Sequence, residues 1–517
     1  MMEYHLVILV HGLWGQTYNL NYLERQVREQ VKPAKDCERI LVHKTRSHAG
    51  FLTYDGLDVN GKRIADEVTA ETKKIRSWGD KVTKLSVVGY SVGGVLARYA
   101  IGVLYSERYY DKVKPMNFVT FCSPHVGTIF PGESWSARLF NAIIPFFLAH
   151  TGAQIFMRDR VNIRFEYSSS KKRNLPLLVW MAERNSVFYK ALAVFQNRAL
   201  YCNVINDKRT SWYTCAISAM DPFNSMVNEE ASIYDFEYIE NYSPVVIDLN
   251  KPIALSTLTM SGAPAPLDKK QPSSFSIGRF FKAIYNWLKV LVGLLVVSPF
   301  FFFNLACISL FVRVKMVNRV KCFSRDTSLM HLYEFAENLS HNGEDDYGEQ
   351  KDEKYSSSEP GTGAAVETML SELSDAIRDQ TEIFVNSVYK AMNGKYPDNY
   401  EQESAKQEEL QGSEKSASMD GVVKFSHRDS LPLLFTSSSS ELKNLNGERI
   451  NDFRLNLTEY EKYVIKELNT LKWNKYPIFI RKTKASHAAV IVRHGDPAFE
   501  EGIIAVNHFV REAFQTK

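Results

Sequence analysis

The chain has little cysteine, and what it has is scattered. Six occur in 517 residues, at Cys37, Cys122, Cys202, Cys215, Cys307 and Cys322. None forms a C-x-x-C pair and no spacing suits zinc, so neither a zinc module nor a disulfide framework is expected. Cys122 and Cys202 sit in apolar, strand-like runs, where a reduced thiol behaves as a small hydrophobe, and this usage fits a reducing compartment. Charge of one sign is not in excess either. The formal net charge is +4 and the basic residues are spread along the chain, so no nucleic-acid partner is expected. No period recurs, which argues against solenoids and propellers. The first apolar run, "YHLVILVHGLWG", carries His5 and flows into a Gly-rich turn. It reads as a first core strand rather than a signal peptide, and synthesis in the cytosol is the expectation.

What is present is an alternation. "HLVILV", "ERILVHK", "KLSVVGY" and "MNFVTFC" read as strands. "LNYLERQVREQV", "NGKRIADEVTAETKKIRSW" and "GVLARYAIGVLY" read as the helices between them. This order over residues 4–125 predicts a mostly parallel sheet covered by helices. Residues 126–200 are apolar, aromatic and irregular, and "YCNVIND" resumes the strands at 201. From residue 430 the composition is globular again: "LTEYEKYVIKELNTLKW" reads as a helix, "YPIFIRK" as a strand and "EEGIIAVNHFVREAF" as a closing helix.

Ser91 lies in "VVGYSVGGVLARYA", between a β-branched run and an alanine-rich one, with Gly89 and Gly93 completing G-x-S-x-G. A strand that turns at once into a helix lifts the residue at the apex clear of the sheet and sets a helix N-terminus beneath it. Side chains at the two glycine positions would strike neighbouring backbone. Alone, the motif is equally compatible with an ordinary Gly-rich βα turn, so a base, an acid and an oxyanion hole decide its meaning.

A serine hydroxyl needs a base, and in α/β-hydrolases the acid and then the histidine follow the serine in chain order. Asp207, at the end of "YCNVIND", is an acid candidate, with Asp221 in "MDPF" as runner-up. His487 in "TKASHAAVIV" is a base candidate, with His494 and His508 as rivals. Two backbone N–H groups are needed for the oxyanion. Val92, after the nucleophile, and Leu13, in the turn "VHGLWG", are placed to supply them. His11 in that turn reads as structural, holding the loop by hydrogen bonds. No metal or organic cofactor is implied.

Five stretches in order, "VILVHGLWG", "VVGYSVGGVLARYA", "FCSPHVGT", "VINDKRT" and "SHAAVIVR", resemble a fungal and plant family of serine esterases with an α/β-hydrolase fold. Its members include lipid-droplet phospholipases and monoacylglycerol lipases of yeasts. The likeness covers residues 4–220 and 430–515. It implies Ser91 as nucleophile, Asp207 as acid and His487 as base. Tyr90 stands where many lipases carry His. "YDGLDVNGKRIADEV" also resembles the family, with Arg63 expected to pair with a carboxylate.

Residues 283–312 are intensely apolar, and residues 290–312 carry no charge over 23 positions. A helix of that length measures about 35 Å, enough to cross a bilayer. One crossing would separate Ser91 and Asp207 from His487. The expectation is therefore a hairpin that enters and returns near Ser298–Pro299 with basic residues at both ends. The domains expected are a hydrolase core over 1–270 with a lid-like insertion at about 126–200, and a membrane-associated apolar hairpin over 276–325. A charged, largely disordered linker over 338–425, holding one amphipathic helix at 366–388, and the C-terminal part of the core over 430–517 complete them. The function expected is a serine hydrolase cleaving acyl esters of phospholipids or acylglycerols at a lipid-droplet or endoplasmic reticulum surface, its catalytic part facing the cytosol. An inactive membrane scaffold and an acyl-protein thioesterase are alternatives of other classes.

Overall fold

The computed structural model describes residues 1–131, 135–164, 172–207, 209–221, 223, 234–255, 313–323, 327–333, 423–424 and 455–517. The apolar run at 283–312, the helix at 366–388 and nearly all of the charged linker lie outside these residues. Among the described residues, no helix is long and apolar enough to cross a membrane.

Six strands form one sheet: β1 (Glu3–Val10), β2 (Glu38–Lys44), β3 (Lys81–Tyr90), β4 (Lys114–Phe121), β5 (Asn197–Asn203) and β6 (Asn474–Ile478). Their order is β6-β5-β4-β3-β1-β2, and every adjacent pair is parallel. The expected mostly parallel sheet with helices is what is found. A parallel sheet is covered on both faces, so its inner strands read as continuous apolar runs. His5 to Val10 of β1 are accordingly all fully buried. The fifth strand ends at Asn203, earlier than "YCNVIND" suggested, and the sixth at Ile478. Both stretches finish in loops at the carboxyl edge of the sheet.

The covering helices are α1 (Asn21–Gln30), α2 (Leu57–Ser77) and α3 (Val92–Ser106), followed by α4 (Trp135–Phe147), α5 (Ala149–Ile155), α6 (Val187–Val194), α7 (Glu459–Leu468) and α8 (Glu500–His508). Helix α3 is buried from Val92 to Leu104, as a helix apolar all round must be. Its Arg98 is buried too, and donates to the carbonyls of His125 (3.0 Å) and Met181 (3.3 Å). A Cβ on Gly102 would meet the Phe188 ring at 2.2 Å, and the Tyr99 and Phe188 rings lie 4.7 Å apart. The end of the 126–200 stretch, α6, thus packs against α3 as part of the core wall. Arg63 pairs with Asp55 at 2.8 Å, as expected of it.

The chain divides into two compact units. The first takes Met1–Val161, Asn174–Leu332 and Asp420–Lys517, and so holds the whole sheet. The second takes Asn162–Arg173 and Tyr333–Met419, and few of its residues are described.

Candidate active site

The sheet order reverses at β1 and β3, whose carboxyl ends form the kind of crevice where open α/β sheets bind ligands. Ser91 sits there, between Tyr90 of β3 and Val92 of α3. Its backbone is held at φ 56° and ψ −136°, a sparsely populated region for any residue but glycine. Its N–H donates to the Phe121 carbonyl at 2.9 Å. The flanking glycines are required by contact. A Cβ on Gly93 would stand 2.3 Å from the Val10 carbonyl oxygen, and one on Gly89 2.3 Å from the Gly94 Cα. The turn of G-x-S-x-G is therefore the sharp strand-to-helix elbow that the spacing suggests.

Two segments far along the chain meet the serine. The His487 Nε2 lies 2.9 Å from the Ser91 Oγ, and its Nδ1 lies 2.8 Å from the Asp207 Oδ2. Asp207 sits four residues past the end of β5. His487 sits on the short helix Ser486–Ala489 that follows β6. Strands β5 and β6 run side by side in parallel, so the loops leaving them end at the same edge. Ser486 ties the two loops together by donating from Oγ to the Ile205 carbonyl at 3.1 Å.

The carboxylate is locked from several sides. Its Oδ1 accepts from the backbone N–H groups of Arg209 (3.1 Å) and Thr210 (3.0 Å). Its Oδ2 accepts from the Thr210 hydroxyl (3.1 Å) and the Asn203 amide (3.2 Å). Burial alone would raise the Asp207 pKa; the His487 charge and these hydrogen bonds outweigh it and hold the group below its usual value. Burial likewise opposes charge on His487, and the Asp207 carboxylate reverses that, raising the imidazole above its usual value. An imidazole so placed can take the hydroxyl proton on one nitrogen while the other stays bonded to the carboxylate.

Val92 follows Ser91 directly, and the turn that carries Leu13 lies against it through Gly12. Val92 opens α3, so its N–H belongs to the first helical turn, whose donors have no partner within the helix. Leu13 follows Gly12, and a Cβ on Gly12 would stand 3.1 Å from the Ser91 Oγ. The β1 turn therefore passes directly over the nucleophile. His11 holds that turn. Its Nδ1 donates to the Gly12 carbonyl at 3.0 Å, His48 Nε2 donates to the His11 carbonyl at 3.2 Å, and the two rings stack at 3.9 Å.

The other candidates are engaged elsewhere. Asp221 accepts from the Phe223 N–H at 3.0 Å, a local turn. His508 is buried and bonds the Tyr201 hydroxyl at 2.7 Å. His494 is exposed beside Arg493.

Besides Asn203, three contributors escaped the sequence reading. Thr210 also approaches the His487 Nδ1 at 3.3 Å; its signal was the Asp-x-x-Thr spacing of a side-chain-capped turn. The Tyr90 hydroxyl donates to the His487 carbonyl at 2.9 Å, which no local pattern announces. Cys122, in the left-handed region at φ 47°, brings its sulfur, with a carboxylate oxygen of Asp207 and a nitrogen of His487, within 4.8 Å of one another. These three side chains are donors of metal-ligand type. Both imidazole nitrogens already hold hydrogen bonds, however, and burial keeps the Cys122 thiol well above its usual pKa. A metal would have to break the Ser91–His487 or His487–Asp207 link, so the thiol reads as packing against that pair.

Residues 2–217 match a family described as "Putative serine esterase (DUF676)". The resemblance read from the motifs therefore holds over the part of the chain that carries Ser91 and Asp207; His487 lies beyond it. Over 252 residues the chain is 25% identical to "Putative lipase ROG1" of Saccharomyces cerevisiae, which covers 48% of this chain and 33% of that one. Over 221 residues it is 25% identical to "Putative lipase C4A8.10" of Schizosaccharomyces pombe, covering 41% of this chain and 26% of that one. The match thus spans about a third or less of these relatives' length. Among solved structures, "Phospholipase PlaB from Legionella pneumophila" aligns at a TM-score of 0.22 and 12% identity, covering 43% of this chain and 42% of that one.

Proposed function

We propose that this chain, whose residues 2–217 carry the serine esterase family match, is a serine hydrolase that cleaves acyl esters of lipids, phospholipids or acylglycerols. One observation carries the reading: the unbroken hydrogen-bonded chain from Ser91 Oγ through His487 to Asp207, at 2.9 and 2.8 Å, on a strained elbow.

In this reading Ser91 attacks the ester carbonyl while His487 Nε2 takes its proton. The oxyanion is held by the Leu13 and Val92 N–H groups. The protonated imidazole, steadied by Asp207, gives its proton to the leaving alcohol. Water, deprotonated by His487, then attacks the acyl-enzyme, releasing the fatty acid and restoring Ser91. The lipid substrate class is supported by the relatives' names as lipases.

The apolar run at 290–312 is taken as a membrane or lipid-droplet attachment that enters and returns, leaving the catalytic part in the cytosol. Two facts support a same-side return. Ser91 and Asp207, before the run, share one site with His487, after it. Arg319, just beyond the run, pairs with Asp55 of the core at 2.6 Å.

A fluorophosphonate probe tests the chemistry. It should label the native chain at Ser91 and should not label Ser91→Ala. Labelling of the variant at another serine, or none of the native chain, would overturn the reading.

A further inference from the structure

Helix α4 turns an apolar face outward. Positions 135, 138, 139, 142, 143, 146 and 147, one stripe at helical spacing, are all exposed. They hold Trp135, Leu139, Ala142, Ile143, Phe146 and Phe147, with Arg138 as the single charge. Trp135 is 77% exposed and Phe146 63%. The opposite side is fixed to the body: Ala137 is buried, and the Asn141 side chain bonds both the N–H and the carbonyl of Phe130. A surface helix ordinarily presents polar residues to water. A contiguous apolar face like this one marks a contact surface.

The chain emerging from the uncharged run arrives beside this face. Residues 313–323 form a helix whose Val314 is 57% exposed. Arg313, the first residue after the uncharged run, lies over the Phe146 ring at 3.8 Å. Arg319 of the same helix makes two hydrogen bonds to the buried Asp55, each 2.6 Å. The exit of the run is therefore pinned next to the α4 stripe. Neither helix contains an acidic residue, while Arg138, Arg313, Lys315 and Lys321 are basic.

From this we propose that α4 and the helix at 313–323 form one face that seats the protein on an anionic phospholipid surface. The identity of the ligand as lipid rests on the hydrolase reading above; the existence of the face does not. Apolar side chains at helix spacing with flanking cations are what an interfacial helix needs. A second copy of the chain, or the run folding back over α4, would cover the same stripe in water.

The test uses the full-length chain with Cys37, Cys307 and Cys322 replaced by Ser. A nitrobenzoxadiazole label is placed at Leu139→Cys or, as control, at the exposed Lys73→Cys on α2. Phosphatidylcholine–phosphatidylserine vesicles should shift the 139 label to an apolar environment and expose it to quenching by doxyl lipid, leaving the 73 label unchanged. An apolar 139 label before vesicles are added would overturn the proposal, as would a water-exposed 139 label on vesicle-bound chain, or no vesicle binding. A second arm uses Ile143→Glu with Phe146→Glu. Turnover of vesicle phospholipid should fall about tenfold, while turnover of a dissolved butyrate ester holds. Equal retention of both activities would overturn it. Absence of fluorophosphonate labelling would instead strike the hydrolase reading, and the quenching result would still judge the surface.

Discussion

A Cβ added to Gly12 would stand 2.6 Å from the Cβ of Ser91. The turn after β1 and the elbow after β3 are thus in contact without room for a methyl group, and Leu13 is the next residue along. Gly12→Ala should push that turn away and misalign the Leu13 N–H. Loss of one such donor costs about a hundredfold to a thousandfold in turnover. The fall should appear in kcat on a dissolved ester, with Ser91 still labelled, more slowly, by the probe. Native kcat in the variant would refute the proximity argument.

Ser91 itself is strained, at φ 56°. Glycine adopts that conformation without penalty. Ser91→Gly should therefore be inactive and yet more stable than the native chain by about 1 kcal/mol, read as a higher midpoint in urea unfolding. A less stable variant would mean that the elbow stores no strain.

Histidine 487 acts as a base only when neutral. Because Asp207 raises its pKa above the usual histidine value of about 6.5, the acid limb of kcat/KM should lie above pH 6.5. Protonation is favoured in the folded state, so the paired form contributes stability below the unfolded pKa and loses it as pH rises through the folded value. Asp207→Asn removes the charge; the acid limb should shift to lower pH while kcat falls by several orders of magnitude. An unmoved limb would show that another group controls it.

The buried Asp55 carries two cations, Arg63 at 2.8 Å and Arg319 at 2.6 Å. Arg319→Ala should cost about 1–3 kcal/mol through loss of charge-assisted bonds. Asp55→Ala should cost more, about 3–5 kcal/mol, because it leaves two cations beside a buried site. Urea unfolding measures both. Limited proteolysis should cut within residues 313–323 sooner in either variant, and unchanged cleavage would show that the pairing does not anchor that helix.

Much of the architecture was legible because it is local. Continuous apolar runs such as "HLVILV" can only be inner strands of a covered sheet, and β2 falls on the seven residues of "ERILVHK". The elbow was legible from the local G-x-S-x-G spacing, although the carbonyl that excludes a side chain at Gly93 is that of Val10 on β1. The first-strand turn carrying Leu13 followed from its Gly-rich sequence.

Which acid and which histidine face Ser91 was not a local matter. Asp207 and His487 are 280 positions apart, and pattern alone left Asp221, His494 and His508 in contention. Tertiary structure decided it by adding β6 beside β5, which brings the loops after both strands to one edge of the sheet. The same closure supplied what no spacing encodes: Tyr90 on the histidine backbone and the Cys122 thiol against the pair. For α4, periodicity in "WSARLFNAIIPFF" defines an apolar stripe but cannot say which way it points. Direction comes from what the other side is fastened to, here Asn141 on Phe130. A hydrophobic pattern specifies which residues share a face, and only packing against the rest of the chain determines whether that face meets protein or water.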